Sequence, residues 1–176
     1  MNRSLKSPGL ILSISALSLA LLTGCSTDGG APSDSPRGDS TSSTNESGVN
    51  MPKVSGAANE APTISAPTGN PPADLVTEDV IEGSGKAAVA DSTLTVHYTL
   101  MAWSTGQVVE SSWAGEPATF GLNQVITGWQ QGIPGMKEGG RRLLVIPPSL
   151  GYGEAGGGPI GPNETLIFVV DLIKVS

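Results

Sequence analysis

No aromatic residue occurs before Tyr98. All seven Phe, Tyr and Trp residues of this 176-residue chain lie between Tyr98 and Phe168. Aromatic side chains supply much of the buried area of most cores. A front half without any is a poor candidate for an ordinary globular domain, so one domain near the C-terminus is expected. Gly (24) and Pro (14) together exceed a fifth of the residues, which fits many turns or a low-complexity stretch. The formal charge is −7. That argues against nucleic acid as a partner, because such binding needs clustered Lys and Arg to displace counterions. A single Cys and a single His exclude an intrachain disulfide and a zinc site built from several Cys and His ligands. No metal and no cofactor are expected.

The N-terminus reads as an address. Arg3 and Lys6 give a short basic start, and Leu10 to Leu22 is an uncharged run, LILSISALSLALL. As a helix it would rise only about 20 Å, short of the roughly 30 Å of bilayer hydrocarbon. Its length and flanks fit the apolar stretch of a signal peptide over residues 1–24. The run ends in Leu22-Thr23-Gly24-Cys25, which resembles the lipobox of bacterial lipoproteins. The alternative is a plain secretory leader with an incidental Cys. The placing of the only Cys favours the lipobox. The resemblance implies that Cys25 becomes the lipidated first residue of the mature protein. Two or more acyl chains anchor stably where one is marginal. The expected location is therefore extracytoplasmic, on the outer face of a bacterial membrane.

Behind Cys25, residues 26–70 contain 29 Gly, Pro, Ser, Thr or Asn among 45, with no long apolar run. Such a segment buries too little apolar surface to offset the entropy of ordering. A flexible linker is expected up to residue 70, and a folded domain over residues 71–176. Thr93 to Leu100 alternates, with Leu94, Val96, Tyr98 and Leu100 on one face. That is a half-buried strand. Further strands are expected over residues 75–81, 107–111, 141–146 and 166–175. Pro147-Pro148 ends the fourth of these five. One short helix is expected over 128–133, with Trp129 and Ile133 on one face, stopped by Pro134-Gly135. Antiparallel strands with a single helix make an α+β domain. The helix is too short to hold itself and must pack on the sheet.

Several motifs lead nowhere. Gly151-Tyr152-Gly153-Glu154-Ala155-Gly156 matches the dinucleotide pattern, but Gly157, Gly158 and Pro159 follow, so no helix can open toward a phosphate. His97 sits mid-strand among threonines, and no Ser occupies a nucleophile elbow. A solvated or side-chain-bonded His is expected. Arg141-Arg142, beside Glu138, read as a solvated strand start.

What remains is an ordered set of short motifs. It runs Val96-His97-Tyr98-Thr99, then Thr105 to Ser112, Phe120, and Gln124-Val125-Ile126-Thr127-Gly128-Trp129. After these come Gly135 to Gly140, Ile146-Pro147-Pro148, Gly151-Tyr152-Gly153 and Thr165-Leu166-Ile167-Phe168. The set resembles the FKBP family of peptidyl-prolyl cis–trans isomerases over about residues 74–175. The resemblance implies a twisted antiparallel sheet of five to six strands wrapped around one short helix. It also implies a substrate pocket between sheet and helix. By position, Trp129 is the floor. Tyr98, Val125, Ile126 and Phe168 are walls, Tyr152 lies on a flap, and Phe120 sits behind. The Ile126 N–H and the Tyr152 hydroxyl would each bond a substrate carbonyl. Glu110 takes the place of an Asp that bonds Tyr98. Val109 stands in the substrate pocket where active relatives usually carry Phe.

The implied partners are proline-containing polypeptides, with tacrolimus or rapamycin as ligands and the membrane reached through the lipid. Nothing demands more than a monomer. The expected function is assistance to the folding of exported proteins. Departures from the family pattern are Val109 and Ala118 at aromatic positions, Glu110 for Asp, Leu100 for Gly, and a short glycine-rich flap. The Val109 and Ala118 changes widen the pocket and remove aromatic wall, which implies reduced isomerase activity and weaker macrolide binding. A catalytically weak module that holds proline-containing chains is the alternative.

Overall fold

Alternating apolar strands in the last half of the chain assemble into one sheet. The computed structural model of the protein describes residues 50–176. The leader, Cys25 and the linker through residue 49 lie outside them. The strands are β1 (Val54–Ser55), β2 (Thr63–Ile64), β3 (Val76–Ile81), β4 (Thr93–Ala102), β5 (Gln107–Ser111), β6 (Ala118–Gly121), β7 (Arg141–Ile146) and β8 (Leu166–Val175). The helix is α1 (Thr127–Gly132). β1 and β2 form a separate hairpin. The main sheet has the order β3-β7-β8-β4-β5, and β6 also pairs with β4. Every pairing is antiparallel. The ten residues of β4 serve two neighbours on one side, β6 along Thr93–Val96 and β5 along Thr99–Ala102. The α+β class and the single short helix are as expected. β6 was not expected, because Ala-Thr-Phe-Gly is too short to show a period.

The strands divide their side chains between two cores. Leu94, Val96, Leu100, Leu144, Ile146, Leu166, Phe168 and Val170 face α1 and meet Trp129, Ile133 and Met136. Met101, Leu143, Val145, Ile167 and Val169 face the other way. That second face is covered by Met51, Val54 and Ile64. The order expected only from residue 71 therefore begins by residue 50, and the flexible linker expected over residues 50–70 is corrected to a strap. The strap closes through Asn50 and Thr68, whose backbones exchange hydrogen bonds of 2.9 and 3.3 Å. Trp103 donates its indole N–H to Gly69 O at 3.1 Å. A sparse segment can order when the apolar surface it lacks is supplied by the sheet beneath it.

The two arginines are also corrected. Alternation places them on opposite faces of β7, and both are buried. Arg141 is fully buried, bonds both carboxylate oxygens of Asp171 on β8, and donates to Gly56 O at 3.2 Å and Glu60 O at 2.6 Å in the strap. Arg142, on the helix face, pairs with Asp79 at 2.7 Å and donates to Gly132 O at 2.8 Å. A cation there meets the unsatisfied carbonyls and negative end of α1.

Close approach of α1 to β7 rests on Gly128. A Cβ there would lie 2.4 Å from Ile146 Cγ2 and 2.7 Å from its Cδ1. Gly128→Ala is expected to destabilise by about 1–3 kcal/mol through overpacking. That outweighs a helix-propensity gain of at most about 1 kcal/mol. Chemical denaturation measures the difference, and a stabilised variant would contradict this packing.

Candidate active site

The alternation of β4 and β8 delivers Tyr98 and Phe168 to the helix face, β6 adds Phe120, and α1 brings Trp129 beneath them. The three other rings each meet the indole nearly edge-on. Centroids lie 6.0 Å from Tyr98 at 84°, 6.0 Å from Phe120 at 89°, and 5.3 Å from Phe168 at 87°. Such T-shaped contacts are worth about 0.5–1.5 kcal/mol each beyond area burial. They also fix the indole's orientation. Above it opens a cavity of about 500 Å³.

Eight of the nine expected pocket residues line this cavity: Tyr98, Glu110, Phe120, Val125, Ile126, Trp129, Tyr152 and Phe168. Val109 does not. It is half-buried and packs against the helix-side core. Ala118 does not line it either. Leu100 and Gln124 do, and sequence reasoning missed both as pocket residues. Alternation already placed Leu100 on the face of Tyr98. Gln124, an exposed residue of the turn Leu122–Gln124, had no such signal.

Polar groups are few. The Tyr98 hydroxyl donates to Glu110 Oε1 at 2.6 Å, a charge-assisted length. Burial, then the Glu110 carboxylate, pushes the Tyr98 phenol from 10.0 up to about 12. The Ile126 carbonyl accepts from Trp129 N at 3.0 Å and Gln130 N at 3.2 Å and so starts α1. The Ile126 N–H donates to no loop or turn carbonyl among the described residues. Tyr152 is 42% exposed. Its ring rests against Gly157, where a Cβ would sit 3.0 Å from Cδ1. Across the sheet, His97 Nδ1 lies 2.9 Å from Ser112 Oγ, and the imidazole stacks on Trp113 at 4.2 Å. The G-x-G-x-x-G stretch forms a single turn of 3₁₀ helix, Gly153–Ala155, which ends at Gly156.

The phenol gives a pH test. An alkaline absorbance titration should show Tyr98 ionising near pH 12. Because its pKa is raised on folding, its contribution to stability is fully present below pH 10. It is lost as pH rises toward 12. Glu110→Gln should lower the value without restoring 10, since burial is the larger cause. Tyr98 titrating at its ordinary value in the native protein would contradict the hydrogen bond.

The sheet folds over one short helix, and the cavity between them is lined mainly by aromatic and aliphatic side chains. The model of the FKBP-type peptidyl-prolyl cis–trans isomerase domain matches residues 84–173. The FK506-binding protein of Streptomyces anulatus is 53% identical over 121 residues, which cover 66% of this chain and 98% of that one. The FKBP-type isomerase FkpA of Escherichia coli K12 is 43% identical over 104 residues, covering 57% of this chain and 37% of FkpA. Among solved structures, E. coli FkpA superposes with a TM-score of 0.55 at 42% identity, covering 58% of this chain and 48% of that one. A peptidyl-prolyl isomerase of Pseudomonas syringae pv. tomato gives 0.54 at 31% identity, covering 58% and 75%. The chain belongs to the FKBP-type peptidyl-prolyl cis–trans isomerase family, and it is an enzyme of that class.

Proposed function

We propose that the protein rotates X–Pro bonds of exported polypeptides at the outer face of a membrane, held there by lipid on Cys25. The observation that carries the catalytic part is the cavity over Trp129, walled by Tyr98, Phe120 and Phe168. An X–Pro bond resists rotation because the planar amide is resonance-stabilised, and uncatalysed exchange takes tens to hundreds of seconds. The planar form is more charge-separated than the twisted one. An apolar pocket that excludes water disfavours the planar ground state relative to the twisted transition state. Only such differential binding accelerates the step, and each tenfold of rate needs about 1.4 kcal/mol.

In this reading the proline ring sits on Trp129, and the Ile126 N–H and Tyr152 hydroxyl hold carbonyls on either side. Glu110 orients the Tyr98 hydroxyl. Tacrolimus or rapamycin would occupy the same pocket. A second reading, a weak catalyst that mainly holds proline-containing chains, is favoured by Val109 and Ala118. Neither closes the β5–β6 side of the cavity with a ring.

The test is a proline-isomerisation assay on the full chain with tacrolimus as competitor. Turnover abolished by the drug supports the enzyme acting through this pocket. Peptide binding without turnover supports the holding module. Lipid labelling that survives Cys25→Ser would defeat the anchor.

A further inference from the structure

The substrate pocket does not end at its rings. A second depression of about 550 Å³ shares Phe120, Gln124 and Val125 with it. Its other walls are Asp91, Thr93, Thr119, Gly121 and Asn123. Where the first cavity is ring-lined, this one is lined chiefly by polar side chains. The shared residues form the border between the two, with the apolar cavity on one side and the polar depression on the other.

Three features say what the polar section is suited to hold. The first is conformation. A residue before proline is confined to extended backbone, so a polypeptide with its proline in the pocket leaves it extended, rising about 3.3 Å per residue. The second is the wall. β6 supplies Thr119 and Phe120, and among the described residues it pairs only with β4. A strand paired on one side keeps backbone donors and acceptors for an added chain. The third is charge. Asp91 takes part in none of the ion pairs among the described residues. Glu110 lines the apolar cavity, and no Lys or Arg lines either section.

We infer that the polar section is an extension of the substrate site. It holds the residues flanking the bound proline, and Asp91 selects basic over acidic side chains there. This rests on the isomerase reading of the ring-lined pocket. The ligand is one polypeptide spanning both sections. Thr93, Thr119 and Asn123 offer hydrogen bonds to its backbone or polar side chains. Asp91 offers a single exposed carboxylate. A contact of that kind shifts an equilibrium about two- to fivefold and weakens as salt screens it.

The experiment uses the full chain and peptides of one sequence, with Lys, Ala or Glu placed in turn at the three positions on each side of the proline. Both kcat/KM and equilibrium binding, followed by Trp fluorescence, are measured at low and high salt. The expected result is a Lys-over-Glu preference of about two- to fivefold on one side of the proline at low salt. Asp91→Asn should bring it close to unity and Asp91→Lys should invert it. Turnover of the Ala peptides, measured in all three proteins, is the reference against which the Lys and Glu values are read. An equal Lys-to-Glu ratio in all three overturns the inference. Binding that shows the preference while the Ala peptides do not turn over upholds the extended cleft and counts against the isomerase reading instead.

Discussion

Arg141→Ala is expected to cost about 3–5 kcal/mol, the usual penalty for removing one partner of a buried ion pair. The side chain of Arg141 is fully buried and that of Asp171 is 9% exposed, so water cannot replace the lost guanidinium. Burial pushes the Asp171 carboxyl up, and the Arg141 guanidinium pulls it back. Without Arg141 only the upward push remains strong. A carboxyl whose pKa is raised on folding destabilises the native state at neutral pH, where it must be ionised. That cost vanishes below its unfolded pKa. The deficit of the variant should therefore be largest near neutrality and shrink on acidification toward pH 4. Replacing both partners, as Arg141→Met with Asp171→Leu, should recover much of the loss, since the desolvation cost disappears with the charges. The strap would still lose its donor to Gly56 O and Glu60 O. Amide exchange in residues 50–68 should then be faster in both variants than in the wild type. A deficit independent of pH, or a double variant no better than the single one, would contradict this account.

The main sheet was legible in the sequence for a simple reason. β4 is long and alternates, β7 and β8 are strongly apolar, and Pro147 and the glycine turns mark strand ends, as Pro134 marks the end of the helix. The strap was not legible from its own residues. Met51, Val54 and Ile64 are too few and too irregular to show a period. The signal lay elsewhere, in the unbroken apolar runs Leu143–Ile146 and Leu166–Val170. Strands covered on only one face alternate, and continuous runs mark strands covered on both. Something had to lie on the second face, and nothing after residue 71 was left to do so. The same alternation explains the arginines. Two adjacent charges at a strand start look solvated until each is assigned a face, and each face here holds an acid, Asp171 on β8 and Asp79 on β3. Within the site, ring positions were readable because pattern and resemblance agreed on them. Val109 was not, because β5 presents it to the core edge rather than to the cavity. Gln124 carries no periodic signal at all, and only the fold brings it to the border between the two cavities.

Trp129→Ala is expected to remove both stability and turnover, and Trp129→Phe to separate the two. The indole is 4% exposed and sits under three rings. Truncation to Ala leaves a large cavity, at a typical cost of about 3–5 kcal/mol. Phe leaves a smaller void and also removes an indole N–H that is buried with no partner among the described residues. An orphaned donor of that kind costs about 1–3 kcal/mol, which offsets part of the lost packing. Trp129→Phe should therefore lose clearly less stability than Trp129→Ala. It still offers a flat apolar face to a proline ring and should retain turnover within about tenfold. Trp129→Ala offers none. Its kcat/KM, measured at a temperature where circular dichroism shows it folded, should fall well beyond tenfold. A folded Ala variant that isomerises at the wild-type rate would move the chemistry away from this pocket. A Phe variant as impaired as the Ala variant, at native stability, would instead point to the indole N–H as a group the substrate uses.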